Sequence, residues 1–153
     1  MMKTSGMIKH LLAVVTATFM LCGASSCEPE DDIAGIFVGK TWKLSNICND
    51  KDAPLLSVDE VNQVNVGGHY VITFADGTFS AVATDTHFEG TWSAENDGNT
   101  FSINITNVEG TETSSLGNRF ITMLRDSRHY EGDYNSLQLY GEDKSEYLLF
   151  RPL

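Results

Sequence analysis

The chain has 153 residues, with 10 Lys plus Arg against 21 Asp plus Glu and a formal net charge of −11. That length is one domain's worth, and 41% hydrophobic with 10% aromatic residues excludes both a disordered tail and a fully membrane-embedded protein. A pI near 4.6 argues against nucleic acid and anionic lipid headgroups as partners, because neutralising phosphate takes a basic surface.

Residues 1–26 read as an export signal. Lys3 and Lys9 give a positive start with no acid before Glu28, and Leu11–Leu21 is an unbroken run of 11 largely apolar residues. At ~1.5 Å per residue this run spans about 16 Å as a helix, half of a ~30 Å hydrocarbon core and too short for a stable span. Gly23-Ala24-Ser25-Ser26-Cys27 follows. Small residues leading to a cysteine resemble a bacterial lipobox, so Cys27 is the expected lipidation site, acylated after cleavage in front of it. Cys22 is a poorer candidate because Leu21 before it is too bulky for the cleavage site. The alternative is an ordinary secretory signal cleaved near Ala24–Ser26, with Cys27 left as a free thiol.

Cleavage before Cys27 removes both Lys3 and Lys9, so residues 27–153 carry 8 cations and 21 acids, a net of −13. Residues 27–35 are expected to form an acidic tether, since Glu28-Pro29-Glu30-Asp31-Asp32 places four acids in five residues that cannot pack. This run is similar to the acidic export signal behind the lipid cysteine of surface-exposed Bacteroidetes lipoproteins; a periplasm-facing tether is the alternative. The expected location is the outer membrane, lipid-anchored, on the cell surface or the periplasmic face. Cys48 has no partner once Cys27 carries lipid. With Asn49 and Asp50 beside it, it reads as a buried apolar residue rather than a thiolate.

From Gly35 on, the apolar residues alternate. Trp42, Leu44 and Asn46 share one face of a first strand, Thr41–Ile47. His69–Phe74 is a second, closed by the hairpin pair Asp76-Gly77. Thr78–Thr84, His87–Ala94 and Thr100–Val108 continue the pattern, with Glu95–Asn99 as a turn. Between Thr113 and Arg125 the period changes: Leu116, Phe120, Met123 and Leu124 fall at helical spacing, capped by Ser114 or Ser115 and weakened by Gly117 by ~1 kcal/mol relative to Ala. Strands resume at Leu137–Tyr140 and Glu146–Arg151. Asn49–Gly68 is either a short helical turn around Val58, Val61 and Val64 or an irregular loop. The expected fold, over residues 36–153, is mainly β: an antiparallel, partly closed, lipocalin-like barrel of about seven or eight strands with one short helix.

The order of features carries a family resemblance. Gly39-Lys40-Thr41-Trp42-Lys43-Leu44, Ile72–Ser80, Phe88-Glu89-Gly90-Thr91-Trp92, a helix around Phe120 and Leu124, Tyr130, and the closing strands Leu137–Tyr140 and Tyr147–Phe150 form a series that resembles the META domain (HslJ-like) lipoproteins. The family's Gly-Cys-Asn element stands here as Thr84–Gly90, and its Met-Ala-Cys stretch as Glu112-Thr113-Ser114, both without Cys. A lipocalin-like lipoprotein domain of unknown function is the close alternative. The resemblance implies a lipocalin-like barrel, no enzymatic activity, and an association with envelope stress.

The chemistry agrees with a non-enzymatic domain. There is no G-x-S-x-G nucleophile elbow, phosphate loop or dinucleotide fingerprint, so no cofactor is expected. Asp85, His87 and Glu89 alternate onto one strand face, but no second His lies nearby, and a solvated face is the better account than a metal site. Two functions lead: an interaction or envelope-stress module with a filled core, whose partner is an envelope protein or polymer, or a lipocalin-type module for a small molecule or glycan. A hydrolase is the third reading and requires acids or His to converge in a cleft. The second expects a cavity lined by Trp42, Phe79 and Trp92.

Overall fold

A computed structural model describes residues 32–153; the expected export signal, Cys27 and residues 28–31 of the expected tether lie outside these residues. The first element forms inside the expected tether. Asp32 caps the short helix α1 (Ile33–Phe37), its carboxylate accepting the Gly35 N–H at 3.0 Å. Five residues make a poor isolated helix, and α1 is held by what it buries: Ile36 and Phe37 are 3% and 0% exposed.

Eight antiparallel strands then close into a ring: β1 (Thr41–Asn49), β2 (Val71–Phe74), β3 (Thr78–Val82), β4 (Thr86–Glu95), β5 (Thr100–Gly110), β6 (His129–Gly132), β7 (Leu137–Tyr140) and β8 (Glu146–Pro152). Each pairs with its neighbour in sequence, and β1 with β8 completes the barrel. The fold is thus mainly β, as the alternation predicts. Two further helices accompany the expected one, α3 (Ser115–Asp126): α1, and α2 (Val58–Val64), which starts on a Ser57–Glu60 capping box inside the ambiguous segment.

The departures from simple alternation have local causes. In β1, Trp42 and Leu44 point inward, but Ser45 is left unpaired between the Leu44↔Phe150 and Asn46↔Leu149 pairs. That bulge flips the parity, so Ile47 rather than Asn46 reaches the core. Cys48 consequently faces outward, yet it is buried because residues 53–55 fold back along β1, with the Leu55 N–H donating to the Ile47 carbonyl at 2.8 Å. At the start of β2, Tyr70 sits at φ 52°, which ends the extended conformation and leaves β2 two residues shorter than its sequence pattern.

β5 and β6 pair only at Thr100↔His129. α3 packs beside β5, β7 and β8 and turns Leu116, Phe120 and Leu124 into the barrel. Among the described residues, aromatic rings pack into the interior at both ends. At the α1 end, the Phe37 ring lies 4.8 Å from Trp92, 5.1 Å from Phe74, 5.3 Å from Tyr130 and 5.6 Å from Phe101. At the α3 end, Phe120 meets Tyr70, Phe88 and Phe150 at 5.5–6.3 Å.

Candidate functional site

Of the three residues proposed to face a ligand, Trp42 and Trp92 pack into the interior, while Phe79 is buried with its ring also reaching the floor of an outer hollow beside Gly90. Trp42 is fully buried and its Nε1–H donates to the Ile36 carbonyl at 3.1 Å, tying α1 to β1. Trp92 donates to the Ala75 carbonyl at 2.8 Å across the β2–β3 turn. Phe79 is 3% exposed, edge-on to Phe88 at 6.2 Å. Satisfied indole donors and interlocked rings are the signature of a packed core rather than a ligand chamber.

Concavity is found on the outside. Over β2, β3, β4 and β5 lies an open hollow of about 430 Å³, walled by Thr73, Thr78, Ser80, Glu89, Thr91 and Thr106. Its origin is a second bulge. Thr106 is left unpaired where Gly90↔Ile105 gives way to Glu89↔Asn107, bending the wall. Gly90 permits the approach: a Cβ there would stand 1.9 Å from the Asn104 carbonyl oxygen. Five hydroxyls and the Glu89 carboxylate stand there beside Ala75, Phe79 and Gly90, with Thr73 already bonded to Thr41 and Thr106 donating to the Glu89 carbonyl. The face thus mixes apolar floor with polar rim, on a chain of net charge −11.

The Asp85-x-His87-x-Glu89 set is split by its neighbours. Asp85 accepts the Thr113 hydroxyl at 2.6 Å, while His87 Nε2 lies 3.5 Å from Glu89 Oε1 on the outer face of β4. Among the described residues no group of three or more His, Cys, Asp or Glu is placed to hold a metal ion.

Glu112, to which the sequence assigned nothing, is the busiest carboxylate in the described chain. It accepts the backbone N–H groups of Thr84 (3.1 Å), Asp85 (3.1 Å) and Ser114 (3.0 Å), clasping the β3–β4 turn to the start of α3. Its turn partners lie 27 and 28 residues away, so no local pattern announces it. A second cluster covers β7, β8 and β1 from outside: Tyr147 donates to Asp52 at 2.8 Å, and its ring lies 4.8 Å from that of Tyr140, tilted by 37°. Burial pushes the Cys48 thiol up, burial and then the Asp52 hydrogen bond push the Tyr147 phenol up, and burial with the neighbouring Glu131 charge pushes Tyr140 up to about 12. Groups raised in this way hold their protons, which suits packing rather than nucleophilic chemistry.

The fold and its surfaces define a small closed antiparallel barrel with a packed interior and a hydroxyl-lined outer wall. The chain belongs to the family described as a domain of unknown function, DUF4847, whose model matches residues 28–152. A crystal structure of a DUF4847 family protein from Bacteroides vulgatus ATCC 8482 is 28% identical, with a TM-score of 0.63 over 78% of this chain and 96% of that one. An NMR structure of a protein from Burkholderia xenovorans, 14% identical, has a TM-score of 0.53 over 78% of this chain and 86% of that one, a likeness of fold alone. No functionally curated protein matches the chain.

These comparisons correct the META (HslJ-like) resemblance: the family model that matches is DUF4847. The motifs behind that resemblance are a tryptophan at the first strand, an Asp-Gly hairpin and paired closing strands. Packing requires them in many small antiparallel barrels, so they track architecture rather than descent.

Proposed function

We propose that this is an exported, lipid-anchored, non-catalytic envelope domain that engages its partner, a protein or a neutral polymer, on the outer wall of the barrel. The observation that carries the reading is the filled interior. Phe37, Phe74, Trp92, Phe101 and Tyr130 occupy with protein rings the space that a lipocalin-type module keeps for a ligand. Recognition is then left to the surface, where the hollow of Thr73, Thr78, Ser80, Thr91 and Thr106 offers hydroxyls to a hydrogen-bonding partner.

Support for the anchor comes from the sequence. The family match begins at residue 28, directly behind Cys27, and the 28% identical relative comes from a Bacteroides species. Attachment at Cys27 places the domain on the outer membrane, at the cell surface or the periplasmic face.

Native mass spectrometry of the full chain, purified from a bacterial envelope, tests the division between wall and interior. The expected spectrum shows protein plus lipid anchor and no further small molecule. An added mass that survives gentle ionisation and leaves on denaturation overturns the solid-core reading in favour of an enclosed ligand.

A further inference from the structure

The geometry points to a bilayer-contacting pole: the end of the barrel bearing Val38, Lys40, Tyr134 and Leu153 lies on the headgroups of the membrane that anchors the chain. This rests on the lipid anchor at Cys27 proposed above and adds which face of the domain meets the lipid.

The argument starts from reach. Asp32 is pinned twice to the folded domain, accepting the Gly35 N–H at 3.0 Å and the Tyr134 hydroxyl at 3.2 Å. Only residues 28–31 separate it from Cys27. Five residue steps at ~3.5 Å span at most about 17 Å, and the headgroup layer itself takes up about 5–7 Å. The tether therefore keeps Asp32, and the end of the barrel it is pinned to, within about 10–12 Å of the headgroup surface.

The pole near Asp32 is internally cross-linked. Lys40 Nζ lies 5.8 Å from the centre of the Tyr134 ring. The Leu153 N–H donates to the Thr41 carbonyl at 3.0 Å, and Arg151 donates to the Asn135 carbonyl at 3.3 Å. Val38, Tyr134 and Leu153 are 40%, 59% and 80% exposed at the end of the barrel to which Asp32 is pinned. Leu55, Val58, Val66 and Val108 are exposed elsewhere, so it is the tether and not apolar exposure alone that selects this end. A tyrosine with an adjacent ammonium suits the interface, where the ring sits among the glycerols and the cation among phosphates. The carboxylate of Asp133, in the same loop, is exposed and accepts the N–H groups of Asn135 and Ser136. Strongly anionic membranes are disfavoured by the acidic tether, so the fitting partner is a largely zwitterionic bilayer surface. In this pose the Glu112 clasp and the α3 pole face away from the lipid.

Paramagnetic broadening measures the pose. The full chain, isotope-labelled and with its natural lipid, is placed in phosphatidylcholine nanodiscs carrying a gadolinium-chelating headgroup lipid, and amide relaxation is read residue by residue. The expected result is at least threefold faster relaxation at Val38, Tyr134 and Leu153 than at Val108, Glu112 and Asn118. A Leu153→Ser variant, which keeps both pins on Asp32 and leaves the core untouched, lowers the effect at Val38 at least twofold. Equal broadening at the two poles, or stronger broadening at Val108, overturns the inference. Intact mass reports separately whether Cys27 carries lipid; if it does not, coupling its thiol to a maleimide lipid restores the same tether length and the same comparison.

Discussion

The carboxylate of Glu112 occupies the space in which residue 117 would carry a side chain: a Cβ on Gly117 would stand 2.2 Å from the Glu112 Cδ and 2.3 Å from Oε1. Gly117 lies in the first turn of α3, where glycine costs about 1 kcal/mol relative to alanine. The structure shows what that cost secures, a carboxylate that satisfies three backbone donors at the join of two turns.

Gly117→Ala therefore destabilises the fold although helix propensity alone predicts a gain. The expected loss is about 2 kcal/mol, the scale of displacing charge-assisted hydrogen bonds from their donors. Glu112→Ala should cost a similar amount, and the double variant far less than the sum, because the clash disappears with the carboxylate. Urea denaturation of the four proteins closes the cycle. Additive losses would separate the two residues.

Gly90→Ala meets backbone rather than a movable side chain, the Asn104 oxygen at 1.9 Å. Relief requires the β4–β5 pairing to open at its bulge, so a loss of about 3 kcal/mol or more is expected, with flattening of the outer hollow. Thermal unfolding followed by circular dichroism checks it. A melting temperature within 2–3 °C of the parent, roughly the shift from half a kcal/mol in a domain this size, would show that the bulge has slack.

Alkaline pH should unfold the domain through the Cys48–Tyr140–Tyr147 cluster. All three groups are raised in the folded state, from ordinary values of 9.0 for the thiol and 10.0 for the phenols, with Tyr140 reaching about 12. Above pH 9 the unfolded chain begins to release protons that the folded chain retains, so stability is full below that point and falls as pH climbs towards 12. Urea midpoints between pH 8 and 12 should drop steeply in the parent and more gently in a Tyr140→Phe, Tyr147→Phe variant. Parallel slopes would remove these phenols as the cause.

What the sequence discloses follows from how far each element depends on distant partners. β4 was legible because Phe88, Gly90 and Trp92 alternate with His87, Glu89 and Thr91, a pattern set by which face is wet. β6 was not: His-Tyr-Glu-Gly holds one large apolar side chain, and the strand exists because β7 pairs with it along its length. α1 was read as the end of a tether, since five residues behind four acids carry no helical period; the cavity that Phe37 fills is built by four other segments. The outer hollow was hidden for a related reason. Its hydroxyls looked like ordinary wet-face residues, and only the bulge opposite Gly90 gathers them into a concavity.

Lipidation at Cys27 predicts a change of compartment. Expressed in full in a Gram-negative host fed an alkyne fatty acid, the parent should label and sediment with membranes. Cys27→Ala should lose the label and leave the membrane fraction while keeping the same fold. Label retained in Cys27→Ala would transfer the anchor elsewhere, Cys22 being the first place to look.

Phe37→Ala probes the solid interior most directly. Phe37 is fully buried in a ring of four aromatic neighbours, so its removal is expected to cost about 3–5 kcal/mol and to leave an apolar hole at the α1 end. Such holes stay dry and accept small apolar molecules of matching shape. Benzene should therefore raise the melting temperature of Phe37→Ala by several degrees through preferential binding to the folded state, and leave the parent unchanged. The comparison discriminates because the two barrels differ by one ring. If benzene stabilises the parent as well, the interior already holds accessible volume, and the outer wall loses its claim to be the surface that recognises a partner.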